Sequence, residues 1–556
     1  INQFSNVTEL LKVPVFIPTK KRFSVKQNNL LYNLLKWSIT ATVFLFTSVL
    51  QADPPEIKPW FQQAVLLKSY QQSFDWRTPW EKREIRTQSG MALVVRLPVS
   101  VRISVSKNGN NNNLFLLTTA EIVSDATLIE VTRKDIRSSF QAKLVLMDYA
   151  ANLALLQINN SKFWRNLRPV KWTPLKSSTD HEAKDIYSLK IKSQDEWTME
   201  SGTIDRMTVG HREASNAWFP LLKLNGISQS GQGYPLLQDN DTAGMILDTG
   251  NGKAKAMPAA MLLEFLKHAG SNPYRSLAHR GFVWSKLPQS STYNHFQIPP
   301  EKPGIWISMV LPYGTGSDVL MQGDYLTKLG KWTLSHDGKV EHPDWGISLF
   351  DLLFLAHLKV GDSVKLEIIR EGKPVVLQTK VSAYEENSRS VPLKIVGTAP
   401  RYVIEGGFLF QELTLNYLRI WGANWQTRAP MRLRLFLEQN KAVSIYENNK
   451  SHISSTGTKI SSDHPPRIVL VSQVIPDPLN IGYQKLSNAV VLQVNGKQIR
   501  RLEDVSTAFL SPIKNFHRID FLPGSERLSV ILPVAELADA NQRIKNNFRI
   551  PKLQSL

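Results

Sequence analysis

Between Met91 and Ile158 apolar and polar residues alternate in short runs: Ala92–Leu97, Val101–Val105, Leu114–Thr118, Thr127–Val131 and Ala142–Leu146. A period of two turns one face of each run to a core and the other to water, the pattern of β-strands. The polar stretch from Lys107-Asn108-Gly109-Asn110 to Asn113 reads as a hairpin turn, because Asn and Gly accept positive φ. Many short strands at even spacing predict a barrel or a sandwich. The pattern resumes from Ile186 to Leu247 and is closed by a helical run, Pro258 to His268, whose proline suits the first turn. From Arg280 to Lys380 strands surround one amphipathic stretch, Leu349–Leu358. A last unit starts at Arg401 and is split by a Ser-, Asn- and Lys-rich stretch, Glu438–Pro466, too polar to bury a core. The expected division is an N-terminal extension at 1–52, then units at 53–275, 276–392 and 393–556, the last with a flexible insertion at 438–466.

The extension has its own character. Lys20, Lys21, Arg22, Lys26 and Lys36 precede an apolar run from Trp37 to Leu50, which ends in Gln51-Ala52 before Asp53-Pro54-Pro55. A basic flank, a short apolar core and a small residue at a polar break form a secretory signal pattern. Leu30 to Leu50 is also just long enough to span a bilayer, so residues 30–50 are a candidate membrane tether. Both readings predict an exported protein of the periplasm or cell envelope. The formal charge is +20, of which residues 1–52 carry six Lys or Arg and one Glu. The remaining positive charge is scattered, and no nucleic-acid motif accompanies it. The chain has no cysteine, which excludes disulfides, thiolate metal sites and cysteine nucleophiles but leaves the compartment open.

Three motifs then follow in order. The first is Phe115-Leu-Leu-Thr-Thr-Ala-Glu121-Ile-Val123, the second Asp148-Tyr-Ala-Ala-Asn152-Leu-Ala-Leu-Leu156, the third Ser230-Gly231-Gln232-Gly233-Tyr234-Pro-Leu236. They resemble the His, Asp and Ser motifs of the HtrA/Deg serine proteases, and Ser201-Gly-Thr-Ile204 and Ala256-Met-Pro258 match further landmarks of that family. The resemblance implies a chymotrypsin-like double β-barrel with a triad. Here Glu121 stands for the histidine, Asn152 for the aspartate and Gln232 for the serine. Acyl transfer by serine needs a hydroxyl, a base to take its proton and an acid to orient the base. An amide is no nucleophile, and an ordinary carboxyl has a pKa about two units below imidazole. The first histidine in the chain, His181, comes too late to replace the base. The oxyanion loop is degenerate too. The family's first glycine is Ser230 and its second is Tyr234, whose ring is expected to fill the cleft, while Gly231 and Gly233 remain. A shifted alignment using Ser230 as nucleophile would still lack a base.

His279-Arg280-Gly281-Phe282-Val283-Trp284 resembles the carboxylate loop and first strand of a PDZ domain. Gly304–Val310, Gly323–Leu329, Leu358–Asp362 and Ile368–Lys373 continue that series. PDZ domains bind an extended peptide as an added strand and capture its carboxylate on backbone N–H groups. The expected peptide site is Arg280, Gly281, Phe282 and Val283. Tyr402–Phe410, Leu415–Leu418, Val469–Val474 and Val494–Lys497 resemble the second PDZ domain of plant-organelle Deg proteins, as does the Trp76–Trp80 run of that subgroup. By the same resemblance the expected partners are polypeptides or protein C-termini, and trimer-based homo-oligomers or assembly with an active relative. The expectation is a mostly β pseudoprotease that holds polypeptide, needs no metal or cofactor, and acts as scaffold, adaptor, chaperone-like factor or regulator. The alternative is a divergent active endopeptidase using Ser230 or Glu121.

Overall fold

The computed structural model describes residues 55–556, apart from 99–112, 176–184, 212–217, 239–240, 272–273, 275–276, 288–289, 312–313, 343–345, 352–356, 384–388 and 440–465. The N-terminal extension, the turn at Lys107–Asn110, most of Leu349–Leu358 and nearly all of the insertion fall outside the described residues. Residues 54–556 form one compact unit.

The first sheet contains β1 (Ala64–Gln71), β2 (Arg86–Arg96), β3 (Leu114–Thr118), β4 (Ala126–Thr132), β5 (Ser139–Gln141), β6 (Lys143–Asp148) and β7 (Leu153–Gln157). Its order is β5-β4-β1-β2-β3-β7-β6. The two end strands are joined through Ala142 alone, so the sheet has to curl back on itself. The period of two in β2 sends Met91, Leu93 and Val95 into one core and Ala92 and Val94 into another. That is how an eleven-residue strand can be apolar on both faces.

The second sheet is a closed barrel, β10-β13-β12-β11-β8-β9. Its strands are β8 (Asp185–Ile191), β9 (Trp197–His211), β10 (Trp218–Asn225), β11 (Pro235–Gln238), β12 (Asp241–Gly250) and β13 (Lys253–Pro258). The helix Ala259–His268 follows directly, with Pro258 as its N-cap and Lys267 and His268 in its last turn. The Lys267 ammonium suits the negative end of the helix dipole.

Two smaller sheets share one plan. In the third, β15 (Phe282–Ser285), β16 (Ile305–Val310), β17 (Tyr325–Leu329), β21 (Ser363–Arg370) and β22 (Lys373–Lys380) lie side by side, with β18 (Trp332–Thr333) paired to β17. Short pairs β14 (Ala278–His279) with β23 (Ser382–Ala383), and β19 (Lys339–His342) with β20 (Gly346–Leu349), complete this part. The fourth sheet runs β30-β29-β27-β26-β25-β24-β31, with β28 on β27. Its strands are β24 (Tyr402–Glu405), β25 (Phe408–Glu412), β26 (Val469–Val474), β27 (Ala489–Val494), β28 (Lys497–Gln498), β29 (Phe516–Phe521), β30 (Ser529–Pro533) and β31 (Gln554–Ser555).

One apolar core continues from the first sheet through the barrel into the third sheet. The fourth sheet has its own core under the helix Leu502–Phe509. Trp76, from the loop after β1, is 7% exposed and packs with Leu413, Leu415 and Tyr417. Trp80 meets Tyr402 edge-on at 5.8 Å. Thus the Trp76–Trp80 run clamps the C-terminal module to the first sheet, as do the Gly397 N–H on Asp125 (2.7 Å) and the Gln473 amide on the Arg77 carbonyl (3.0 Å). Among the described residues no helix is long and apolar enough to cross a membrane.

Candidate functional site

Glu121 opens the short helix Ala120–Val123 after β3, Asn152 sits in the turn before β7, and Gln232 lies in the loop before β11. Two sheets therefore bring the three motif positions to one cleft of about 380 Å³. Tyr149, Phe219, Asp248 and Lys255 also line it, and so does Arg419 of the C-terminal module. The Lys394 ammonium lies 4.4 Å from the Tyr149 ring centroid, so the C-terminal module reaches the rim twice. Asn152 has φ +58° and accepts the Glu121 backbone N–H at 3.0 Å. Asn tolerates this left-handed conformation better than most residues. The Gln232 side-chain oxygen accepts the Thr119 hydroxyl at 2.9 Å. These bonds fix the positions of the three residues but set up no proton transfer between them.

The loop below the cleft is committed elsewhere. The Glu200 carboxylate, on β9, accepts the backbone N–H groups of Ser228 (3.1 Å), Gln229 (3.0 Å) and Ser230 (2.5 Å). Ser230 is 3% exposed, and its hydroxyl lies within reach of the Leu189 carbonyl (2.7 Å) and the same carboxylate. An N–H that could face a developing oxyanion thus already faces an anion of the chain itself. Sequence reasoning missed Glu200. It lies thirty residues before the loop, and the only signal near it was the Ser201-Gly202 landmark.

One expectation is corrected. Tyr234 does not fill the cleft. Its ring packs in the core and lies 3.0 Å from where a Cβ on Gly231 would stand. Burial first, and the Glu200 charge second, push its phenol above the ordinary value. Gly233 holds φ +82°, and a Cβ there would lie 2.0 Å from the Met91 carbonyl oxygen. With the Met91 N–H on the Gln232 carbonyl (3.0 Å) and the Gly233 N–H on the Ile246 carbonyl (2.8 Å), the loop is stitched to both sheets.

The expected peptide site lies at the start of the third sheet. Arg280 is 8% exposed and its guanidinium pairs with Asp351, equally buried. Phe282 is 1% exposed and stacks on Phe350 at 6.2 Å. Both side chains are thus engaged within the module, while the backbone of the loop is what a strand-adding peptide would meet. Gly281 has φ +74°, and a Cβ there would lie 2.2 Å from the Thr315 nitrogen. The Ser382 N–H donates to the Thr315 hydroxyl at 2.9 Å. What remains available is the outer backbone edge of β15, with Val283 and Trp284 half-buried beside it. Among the described residues β15 pairs with β16 alone, and no group of acidic, His or Cys side chains could hold a metal.

Two curled sheets meeting at a cleft, followed by two modules on one plan, define a protease-like scaffold with PDZ appendages. A PDZ-domain family model, PDZ_3, matches residues 391–556. The chain is 21% identical over 399 residues to putative protease Do-like 3, mitochondrial, of Arabidopsis thaliana, covering 70% of this chain and 64% of that protein. It is 22% identical to protease Do-like 2, chloroplastic, of the same plant, covering 78% of this chain and 65% of that protein. The matched part thus spans just under two thirds of each of these relatives. Among solved structures, the HtrA-type protease AlgW with decapeptide aligns over 59% of this chain and 98% of its own, at 16% identity and a TM-score of 0.42. The Do-like relatives and the PDZ match are likenesses to HtrA/Deg proteases and to a PDZ domain, and they support a scaffold of that type.

Proposed function

We propose that this chain is a non-cleaving member of the family that holds polypeptide through its first PDZ module. The observation that carries the reading is the state of the cleft. Gln232 is tied to Thr119, and the Ser230 N–H and hydroxyl are turned to Glu200, away from any substrate carbonyl. Losing one triad member usually removes several orders of magnitude of rate, and here all three positions carry other residue types. The open edge of β15 supports strand addition by a partner. Trimer-based assembly, or assembly with an active relative, belongs to the same reading.

Purified full-length chain is expected to leave casein intact while binding peptides with free apolar C-termini. Cleavage that persists through purification and disappears in Ser230→Ala overturns the reading in favour of an endopeptidase. Equal affinity for C-terminally amidated peptides overturns the carboxylate-loop assignment. For location we propose export to the periplasm or cell envelope through the basic-apolar segment before residue 53. A second reading, import into an organelle, is favoured by the relatives named mitochondrial and chloroplastic and by a leader with six basic residues and one acidic. Fractionation of the native source separates the two addresses.

A further inference from the structure

Three adjacent strands of the barrel set like charges side by side. Arg206 of β9 lies opposite Lys223 of β10, and Lys223 lies opposite Lys255 of β13. Lys255 in turn faces Asp248 of β12, and Lys253, two residues earlier on β13, faces Asn225. Period two sends Leu222, Leu224, Ala254 and Ala256 into the core. It leaves Lys223 half-buried and Arg206, Lys253 and Lys255 exposed. Residues directly opposite have Cβ atoms roughly 5 Å apart, and like charges there weaken the pairing. Neutral pairs would serve the sheet better, so stability does not account for the row.

The row lines a concave pocket of about 570 Å³, which shares Asp248 and Lys255 with the cleft. The tip of the β12–β13 hairpin shapes one end. Asn251 and Gly252 turn there at φ +52° and +72°, and the Gly226 N–H donates to the Gly252 carbonyl at 3.2 Å. This bond fixes the tip beside the end of β10. The pocket holds four cations against two carboxylates. Asp205 is paired with Arg206 at 3.5 Å. Among the described residues no carboxylate lies within 4 Å of the amines of Lys223, Lys253 or Lys255. The pocket therefore keeps a surplus of positive charge that the chain itself does not neutralise.

We propose that this pocket docks an acidic polypeptide segment with Asp or Glu at alternate positions. The spacing carries the choice of polypeptide. Lys253 and Lys255 stand two residues apart on one strand, about 6.5–7 Å, and an extended segment repeats its side chains on one face at the same interval. Successive acidic residues of such a segment meet the two lysines in turn, with Lys223 beside Lys255. Past Lys255 the segment reaches the cleft, where Arg419 adds a further cation. The inference rests on the polypeptide-holding reading above for its class of partner, but it uses a different surface from the β15 edge.

A fluorescent decapeptide alternating Glu and Ala, amidated so that no terminal carboxylate is offered, tests this on the full chain. The titration is run at physiological salt, where charges more than about 8 Å apart are largely screened. The peptide is expected to bind, and its Gln-for-Glu version to bind about tenfold more weakly or worse. Lys223→Gln with Lys255→Gln is expected to weaken binding roughly tenfold, because exposed ion pairs contribute modestly one by one. Lys143→Gln with Lys162→Gln removes the same charge from exposed positions around the first sheet and should leave the affinity unchanged. Unchanged affinity in the pocket variant, equal loss in both double variants, or equal binding of the Glu and Gln peptides overturns the proposal. Carbodiimide, which takes up the water released as a carboxylate and a lysine amine become an amide, should attach the peptide at Lys223, Lys253 or Lys255; attachment only elsewhere overturns it. An oligothymidylate of equal charge that binds more tightly, and is lost in the pocket variant, overturns the peptide assignment in favour of nucleic acid. If the amidated acidic peptide binds while peptides with free C-termini leave 281–285 unprotected from exchange, the carboxylate-loop reading fails and this pocket stands. The reverse result sinks the pocket alone.

Discussion

Replacing Glu200 by alanine removes the acceptor shared by three backbone N–H groups and the Ser230 hydroxyl. Hydrogen bonds to a charged group contribute roughly 1.5–3 kcal/mol each when nothing replaces them. Ser228 and Gln229 are exposed, so water takes over their share. Ser230 is 3% exposed, so its N–H is left with little compensation. The expected local loss is therefore about 2 kcal/mol, close to one such bond. At about 1.4 kcal/mol per tenfold, that is a roughly 30-fold faster exchange of the Ser230 amide. Exchange is the right assay because a chain of several modules does not unfold in one step, and a single melting midpoint would blur a local effect. The Tyr234 phenol should titrate lower in the variant, since the Glu200 charge is gone, yet stay above the ordinary value, since burial is the larger cause. Glu200→Gln keeps one acceptor oxygen and should fall between. An unchanged Ser230 exchange rate in Glu200→Ala refutes the claim that this carboxylate holds the loop.

Further outcomes follow from the same geometry. Restoring the three motif positions together (Glu121→His, Asn152→Asp, Gln232→Ser) should give little peptidase activity, and adding Glu200→Ala should raise it about 100-fold, since one oxyanion donor is worth ~10²–10³ in rate; equal activity with and without Glu200 would count against an engaged N–H. Trp76→Ala deletes an indole buried against Leu413, Leu415 and Tyr417, which should weaken docking of the C-terminal module by about 3 kcal/mol, seen as faster exchange at 413–418 and refuted by an unchanged rate. His517 is 2% exposed, accepts the Asn495 amide at 3.0 Å, and burial holds its imidazole below the ordinary value. The unfolded chain therefore takes up this proton first, so the stability from His517 is complete above pH ~6.5 and is lost as pH falls toward the folded value. The loss of amide protection at Phe516–Phe521 from pH 7.5 to 5.5, corrected for intrinsic exchange, should shrink in His517→Gln, and an identical loss would show that the imidazole is not the cause.

Much of the fold was legible because period-two patterning survives wherever one face is buried. Leu114–Thr118 was read to the residue, and the helix after Pro258 only lost its proline to the cap position. The cleft's three motif positions were legible because their spacing fixes which turns they occupy. Three features were not. Glu200 approaches its loop across the barrel, and no local pattern links residues 200 and 230. The pairing of Arg280 with Asp351 and the stacking of Phe282 on Phe350 were hidden because a residue at the start of an edge strand reads the same whether its side chain faces a ligand or a core. The hairpin at Gly406-Gly407 carried a usable signal, two glycines between apolar runs, but Tyr402–Phe410 was read as one motif and its two strands were not separated.

Motif retention in this chain has to be separated from retention of chemistry. Gly233 looks like part of a catalytic loop, yet its geometry alone requires glycine: any side chain would strike the Met91 carbonyl oxygen, and φ is positive. The Met91 carbonyl is itself held by the Thr118 hydroxyl at 2.8 Å. The loop therefore persists as the seam between two curled sheets, whatever residue stands at 232. By contrast Glu121 and Gln232 sit at the cleft, where no such clash dictates the side chain, while Asn152 there answers to its positive φ. Gly233, required by packing, matches the family motif, whereas the residues at 121, 152 and 232 do not. A hydrolase built afresh on Ser230 would need that hydroxyl in the cleft, but it is buried beside Leu189 and Glu200. That burial is what the binding-scaffold reading proposed above expects, and a hydrolase rebuilt on Ser230 would have to undo it.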